Sequence, residues 1–315
     1  MPLPDVFVIG APKAGSTAVH AALARHPAVH MSDPKEPKYF LCGDAPPPSF
    51  RGPGDAHSRK EWVWRRAAYE ALFAEAPPGA RLGESTPFYL WSTEAHARIA
   101  DAVPEARLIA VIRDPVDRAY SNWSHLWSHG YEPVGDFVEA VELEPERIAD
   151  GWAPFWRYVD LGRYGRQLQH LYEHFPREQV LVLRYRELVD EPESTLTRIA
   201  TFLGVDAGGL DGVPAENVQG WAAPSVANRT LRQVVQAGAW VGQAAPPQVW
   251  RVAERPIRGL LQRGSARRPS LSPEVRAAVQ RHFVDDIGLL GEVTGRDFGD
   301  WLGQVGRGEF STRRS

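Results

Sequence analysis

Cysteine is almost missing from this chain. Cys42 is the only one in 315 residues, so no intramolecular disulfide can form, and a reducing compartment suits it. Long apolar runs are missing too: no stretch approaches the length of a membrane span, and the early run Val6–Ile9 is too short for a signal peptide and follows no basic segment. The expected location is therefore cytoplasmic. An excess of either charge is also lacking, since the formal charge is 36 − 39 = −3, which leaves no overall field for DNA or anionic lipid. Internal repeats are absent. With 43% hydrophobic and 24% charged residues, the chain falls in the globular class, long enough for one large α/β domain or two small ones.

Short β-branched runs alternate with helical spacing through the first two thirds. Asp5–Ile9 reads as a buried parallel strand. Gly10–Gly15 follows as a turn, and Ser16–His26 as a helix stopped by Pro27. Further strands are predicted at Val29–Met31, Arg81–Glu84, Arg107–Ile112 and Gln179–Leu183. Further helices are predicted at Glu61–Ala76, Pro115–His129 and Pro192–Leu203. Residues 43–60 read as a loop. Beyond about residue 205 the strand signal fades, and helical patterns cover Thr230–Gln243, Pro247–Gln262 and Pro273–Leu290, with a basic loop at Arg263–Pro269. The expected fold is α/β, a P-loop-like central parallel β-sheet flanked by helices, with a largely helical C-terminal part. A single domain is expected over 1–305, with a flexible tail over 306–315.

The first turn, Gly10-Ala-Pro-Lys13-Ala-Gly15-Ser16-Thr17, has the glycine spacing of a nucleotide triphosphatase loop, but Ser16 stands where the lysine belongs. Such a turn alone fits an ordinary strand–helix connection as well as a phosphate cradle. The strand before it, the helix after it and the hydroxyls of Ser16 and Thr17 favour the cradle. A donor with one 5′-phosphate and a group attached to it needs a cation at the bridging oxygen, which Lys13 is placed to supply.

Arg113 follows the strand Arg107–Ile112, at the edge where ligands bind in open α/β sheets. Asp114 can cap the next helix and Pro115 suits its first position. Arg113 and Ser121 can grip a second phosphate, or Arg113 can pair with Asp117 or Glu84 as a structural ion pair. Between these anchors lies Asp33-Pro-Lys-Glu36-Pro-Lys38-Tyr39-Phe40, kept non-helical by its prolines. The aromatic pair after it marks a positioned segment.

These motifs resemble those of the sulfotransferase superfamily that uses 3′-phosphoadenosine 5′-phosphosulfate (PAPS). Pro12-Lys13-Ala14-Gly15-Ser16-Thr17 matches its 5′-phosphosulfate loop, and Arg113-Asp-Pro-Val-Asp-Arg-Ala-Tyr-Ser121 matches its 3′-phosphate motif in full. The segment around Glu36 is similar to the heparan sulfate N- and 3-O-sulfotransferase branch, whose glutamate at this place is the catalytic base. Gly83–Tyr89 is similar to a second segment of that branch, with Ser85 where the branch has lysine. The resemblance extends loosely to the C-terminal stretch, Leu271 to Trp301. It implies PAPS as co-substrate, no metal, Glu36 as base and Lys13 as the group that assists the leaving phosphate. It also implies a late donor-binding loop, for which Asn228 and Arg229 are the candidates, although a helix cap there explains them equally.

Lys38, Tyr39, Phe40, Glu84 and His125 are the expected acceptor-side residues, Glu84 being alternatively a partner for Arg113 or a second base. Many of the eleven tryptophans belong in the core and some can line an acceptor pocket. The expected partner is a small-molecule or glycoside acceptor, with room for a homodimer and no nucleic acid. Richness in Ala, Arg, Gly and Pro associates the chain with a GC-rich bacterial genome. Two other classes stay open: an ATP-dependent P-loop kinase, disfavoured by the misplaced lysine, and a non-catalytic nucleotide-binding protein of the same fold.

Overall fold

The computed structural model describes residues 3–55, 59–210 and 269–303. At its centre is a five-stranded, all-parallel sheet in the order β2-β3-β1-β4-β5, built from β1 (Val6–Gly10), β2 (Val29–Met31), β3 (Arg81–Ser85), β4 (Arg107–Ile112) and β5 (Val180–Arg184). β1 lies between β3 and β4, with Val6 opposite both Gly83 and Arg107. Because side chains alternate along a strand, the continuous apolar runs feed two cores. Phe7, Ile9, Leu108 and Ala110 enter one of them, and Val6, Val8, Ile109 and Val111 the other.

The second of these faces is covered by α1 (Ser16–Arg25) through Val19, Ala22 and Leu23. The opposite face carries α2 (Thr93–Ala102), α3 (Pro115–Ser128) and α4 (Tyr164–His174). After β5 come α5 (Tyr185–Asp190) and α6 (Pro192–Leu203), the latter packed beside α1's core through Leu196, Ile199 and Leu203. α3 starts as its sequence predicts. Asp114 Oδ1 accepts from the backbone N–H groups of Val116 (2.9 Å) and Asp117 (3.1 Å), and Pro115 occupies the first turn.

Two helix expectations are corrected. Glu61–Ala76 is not one helix but a 3₁₀ turn at Arg59–Glu61 and a short helix at Arg66–Ala71. The Val63 N–H donates to Pro37 O at 2.9 Å, so the backbone between the two pieces is committed to the loop after β2 instead of to helical bonds. Pro273–Leu290 is likewise split, into α7 (Pro273–Gln280) and α8 (Val284–Thr294). The break lets fully buried Phe283 enter the core beside Gly162, and lets Asp286 accept from Gly165 and Arg166 N–H at the start of α4 (2.8 and 3.0 Å). The patterns at 230–243 and 247–262, nearly all of the basic loop and the tail at 306–315 lie outside the described residues.

Candidate functional site

In an all-parallel sheet every strand ends on the same edge, so the segments after β1 to β5 share one rim. The phosphate-type turn follows β1, the Glu36 loop β2, Ser85 and Thr86 close β3, Arg113 follows β4 and Tyr185 follows β5. Ligands of open α/β sheets bind at such a rim.

The turn after β1 leaves the start of α1 available. Gly15 is the N-cap, with φ 98°, so the N-cap offers no side chain to cap the first N–H groups, and the first turn holds no acidic residue. Uncapped donors at the positive end of a helix dipole suit an anion. A side chain on Gly15 would meet the Tyr185 ring 3.0 Å away, so the backbone angle calls for glycine and the ring leaves a larger residue little room. Pro12, Ala14 and Ser16 are buried, Lys13 is half-buried and Thr17 is exposed. Pro12 and Ala14 therefore shape the turn through their backbone.

Arg113 is half-buried and lies over the ring of Tyr185, 4.7 Å from guanidinium carbon to ring centroid. It does not make the structural ion pairs weighed from the sequence. Asp117 is taken by Arg276 of α7, which also reaches Asp114 at 3.0 Å, and Glu84 is engaged elsewhere. Tyr185 thus touches both anchors: the Gly15 turn meets its ring edge and Arg113 its face. Sequence reasoning did not single it out, because it belongs to neither motif and lies more than seventy residues beyond Arg113. Ser121 is half-buried in the second turn of α3. Asn228 and Arg229 lie outside the described residues.

The loop after β2 is strapped to the end of β3. Glu36 N–H donates to Ser85 O at 3.0 Å, and Lys38 N–H to Thr86 Oγ1 at 3.3 Å. Lys35 Nζ lies 2.6 Å from Glu36 Oε1 and Lys38 Nζ 4.0 Å from Oε2. Burial pushes the Glu36 carboxyl up, but Lys35 and Lys38 outweigh it and hold the group below the usual carboxylate range. Among the described residues, the non-glycine residues with positive φ are Lys13 (67°), Glu36 (62°) and Lys38 (62°). Each left-handed residue costs about 1–2 kcal/mol, and strain of this kind gathers where a backbone is held for function.

Tyr39 and Phe40 are corrected from the acceptor side to the core. Both are buried, Tyr39 stacked on Tyr69 (centroids 4.4 Å apart) and Phe40 edge-on to Phe7 at 5.7 Å. They anchor the Glu36 loop from behind. Glu84 is corrected as well. It has no exposure, pairs with no arginine among the described residues, and accepts from the hydroxyls of Tyr69, Thr86 (2.8 Å) and Tyr89 (3.0 Å). His125 is half-buried on α3, its ring 4.2 Å from that of His129 and 5.7 Å from Phe155. Lys38 Nζ sits 5.8 Å from the centroid of the Trp62 ring, so the segment ahead of Arg66–Ala71 also borders the Glu36 loop. Among the described residues, no group of three or more His, Cys, Asp or Glu side chains is arranged to hold a metal ion, and no helix is long and apolar enough to cross a membrane.

Burial, against the three hydroxyl bonds, raises the Glu84 pKa to about 7. The folded chain then holds this proton more tightly than the unfolded one. The associated stability is full below pH 4.5, falls as pH rises through about 7 and is lost above it, a total of roughly 3 kcal/mol at 1.36 kcal/mol per unit. Urea unfolding at pH 5 and pH 8 is expected to show a larger loss of stability for the wild type than for Glu84→Gln. Equal losses would refute this assignment.

Comparison with known proteins finds relatives over about two thirds of the chain. The human heparan sulfate glucosamine 3-O-sulfotransferase 3B1 is 30% identical over 203 residues, covering 64% of this chain and 46% of that protein. The human bifunctional heparan sulfate N-deacetylase/N-sulfotransferase 3 is 29% identical over 209 residues, covering 64% of this chain and 22% of the relative. The match thus spans less than half the length of these curated relatives. The crystal structure of a sulfotransferase from Alicyclobacillus acidocaldarius superposes with a TM-score of 0.73 at 26% identity, covering 96% of this chain and all of that one. The family model described as "Sulfotransferase family" matches residues 4–208, which hold the Gly10–Gly15 turn, the Glu36 loop and Arg113, and the chain belongs to that family.

Proposed function

We propose that this chain transfers a sulfuryl group from PAPS to a hydroxyl, or less readily an amine, of a small molecule, natural product or glycoside. The observation that carries the reading is the convergence on one rim of an uncapped helix start, a lysine-flanked carboxylate and an arginine that shares Tyr185 with the Gly15 turn. A nucleotide phosphorylated at both ends needs two anion sites within one cleft, and Tyr185 ties the two candidates together. The turn's N–H groups and Ser16 and Thr17 would hold the 5′-phosphosulfate, and Arg113 with Ser121 the 3′-phosphate.

The reaction is an in-line displacement at sulfur. The acceptor O–H bond breaks and its proton passes to a Glu36 carboxylate oxygen as the O–S bond forms. The bond from sulfur to the 5′-phosphate oxygen breaks, and its electron pair stays on that oxygen beside Lys13. PAPS supplies the activated sulfur; Lys35 and Lys38 keep Glu36 ionised. The named relatives are heparan sulfate sulfotransferases, which supports a glycoside acceptor, while the net charge of −3 favours a less anionic one than heparan sulfate.

Calorimetry tests the reading. Adenosine 3′,5′-bisphosphate is expected to bind without Mg²⁺ and ATP to bind poorly. Arg113→Ala is expected to weaken the bisphosphate about 10- to 100-fold, the worth of a charge-assisted hydrogen bond. Tighter binding of ATP with Mg²⁺ would replace this reading with a kinase. Bisphosphate binding without ³⁵S transfer from PAPS to any of a panel of 4-nitrophenyl glycosides and phenols would favour a binding protein.

A further inference from the structure

One turn beyond Ser16, α1 carries His20, a half-buried histidine outside both phosphate motifs. Its Nδ1 lies 2.9 Å from Oγ of Ser85, sixty-five residues away at the end of β3. Ser85 is wholly buried, and its carbonyl is the acceptor for the Glu36 N–H at 3.0 Å. Helix α1, whose first turn follows the phosphate-type turn, is thereby linked through two hydrogen bonds to the backbone of the proposed base. Glu36 needs such a link. Its left-handed backbone persists only where its surroundings over-determine it, and the Ser85 carbonyl is one of the groups that does so.

The charge at this place also matters. The heparan sulfate branch carries a lysine where Ser85 stands, whereas here Lys35 and Lys38 already flank Glu36. Burial, with Lys35 nearby, drives the His20 pKa down to about 4, so the imidazole is neutral at neutral pH and bonds Ser85 without adding a further cation. A neutral imidazole has one donor and one acceptor nitrogen, and either tautomer satisfies the Ser85 hydroxyl.

The geometry points to His20 as a positioning residue that, through Ser85, sets Glu36 in register with the donor's phosphosulfate group. This rests on the reading of Glu36 as the base. His20 touches neither reacting atom, so its loss acts through misplacement, and about 1 Å of misplacement costs on the order of 10²-fold in rate.

His20→Ala is expected to lower kcat for ³⁵S transfer to the best acceptor of the panel about 10- to 100-fold. The Kd for adenosine 3′,5′-bisphosphate should stay within about threefold, because the phosphate contacts precede His20 in α1. His20→Asn, whose amide can reach the Ser85 hydroxyl, should recover most of the rate. Ser85→Ala should match His20→Ala, and the double variant should be no slower than either, since all three remove one hydrogen bond. Should His20→Ala fail to fold, Ser85→Ala and His20→Asn carry the same comparison.

The inference is overturned by a kcat within about threefold of wild type in His20→Ala, by a fall in kcat matched by an equal loss of bisphosphate affinity, or by losses that multiply in the double variant. A wild-type chain that neither binds the bisphosphate nor sulfates an acceptor overturns the proposed function and this inference together. A wild type that does both while His20→Ala equals it overturns this inference alone.

Discussion

Replacing Lys13 with alanine is expected to lower kcat for sulfuryl transfer by about 10²–10³, the effect of deleting one preorganised group at a developing charge. Lys13 follows Pro12 in the turn after β1 and holds a left-handed backbone with φ 67°. That angle costs free energy for a side chain such as lysine, and backbone strain of this kind persists only where the surrounding structure holds it. Charge builds on the bridging oxygen only as the S–O bond breaks. The loss should therefore fall on kcat, and the Kd for adenosine 3′,5′-bisphosphate, which has no sulfur at that oxygen, should change by less than about tenfold. Lys13→Arg is not expected to restore the rate, because a planar fork on a longer stem does not place its charge where a compact ammonium does. A kcat within about threefold of wild type in Lys13→Ala would remove Lys13 from the chemistry.

Glu36→Gln is expected to lower kcat by about 10²–10⁴ with bisphosphate affinity nearly unchanged, since general-base catalysis contributes on that scale and glutamine keeps the shape without the basic oxygen. The pH profile separates this from a binding effect. Lys35 and Lys38 hold the Glu36 carboxyl below its usual value of 4.5 against the opposing pull of burial. The carboxylate thus stays ionised as pH falls through the ordinary range. The acid limb of kcat/KM is expected below pH 4.5 in the wild type and absent in the variant's residual activity. An unchanged acid limb in Glu36→Gln would assign it to another group, and near-normal turnover would remove the base assignment.

Both predictions depend on cations that the chain uses sparingly. Of 36 Lys and Arg residues only four are lysines, namely Lys13, Lys35, Lys38 and Lys60. Three of these four lie in the turn after β1 or the loop after β2. Lysine offers a compact, mobile charge where arginine offers a planar one. In a chain that otherwise favours arginine, the lysine positions themselves were a signal of the candidate site.

Much of the fold was legible because its determinants are local. The buried β-branched runs at Val6–Gly10, Arg107–Ile112 and Val180–Arg184 needed only their own apolar residues. The start of α3 needed only Asp114 and Pro115. Where a long-range contact overrode local pattern, sequence reading failed. Glu61–Ala76 has helical spacing, yet the Val63 N–H is claimed by Pro37. Pro273–Leu290 has it too, yet Phe283 is fully buried at a break between two helices. Tyr39, Phe40 and Glu84 read as acceptor-side residues because they sit beside the loop in sequence, but alternation and the Tyr69–Tyr89 aromatic cluster turn them inward.

The sequence by itself determined the chemistry on offer: a glycine turn of phosphate-loop spacing that lacks the triphosphatase lysine, a glutamate flanked by lysines, and an arginine at a strand end. Each depends on residues within a few positions of one another, where backbone angles and side-chain reach are set by local spacing. Only the tertiary structure decided what those groups meet. The strand order β2-β3-β1-β4-β5 places five strand ends on one rim, Tyr185 beside both Gly15 and Arg113, and His20 against Ser85. Contacts across sixty-five to a hundred and seventy residues follow from sheet order and packing, which no local spacing encodes.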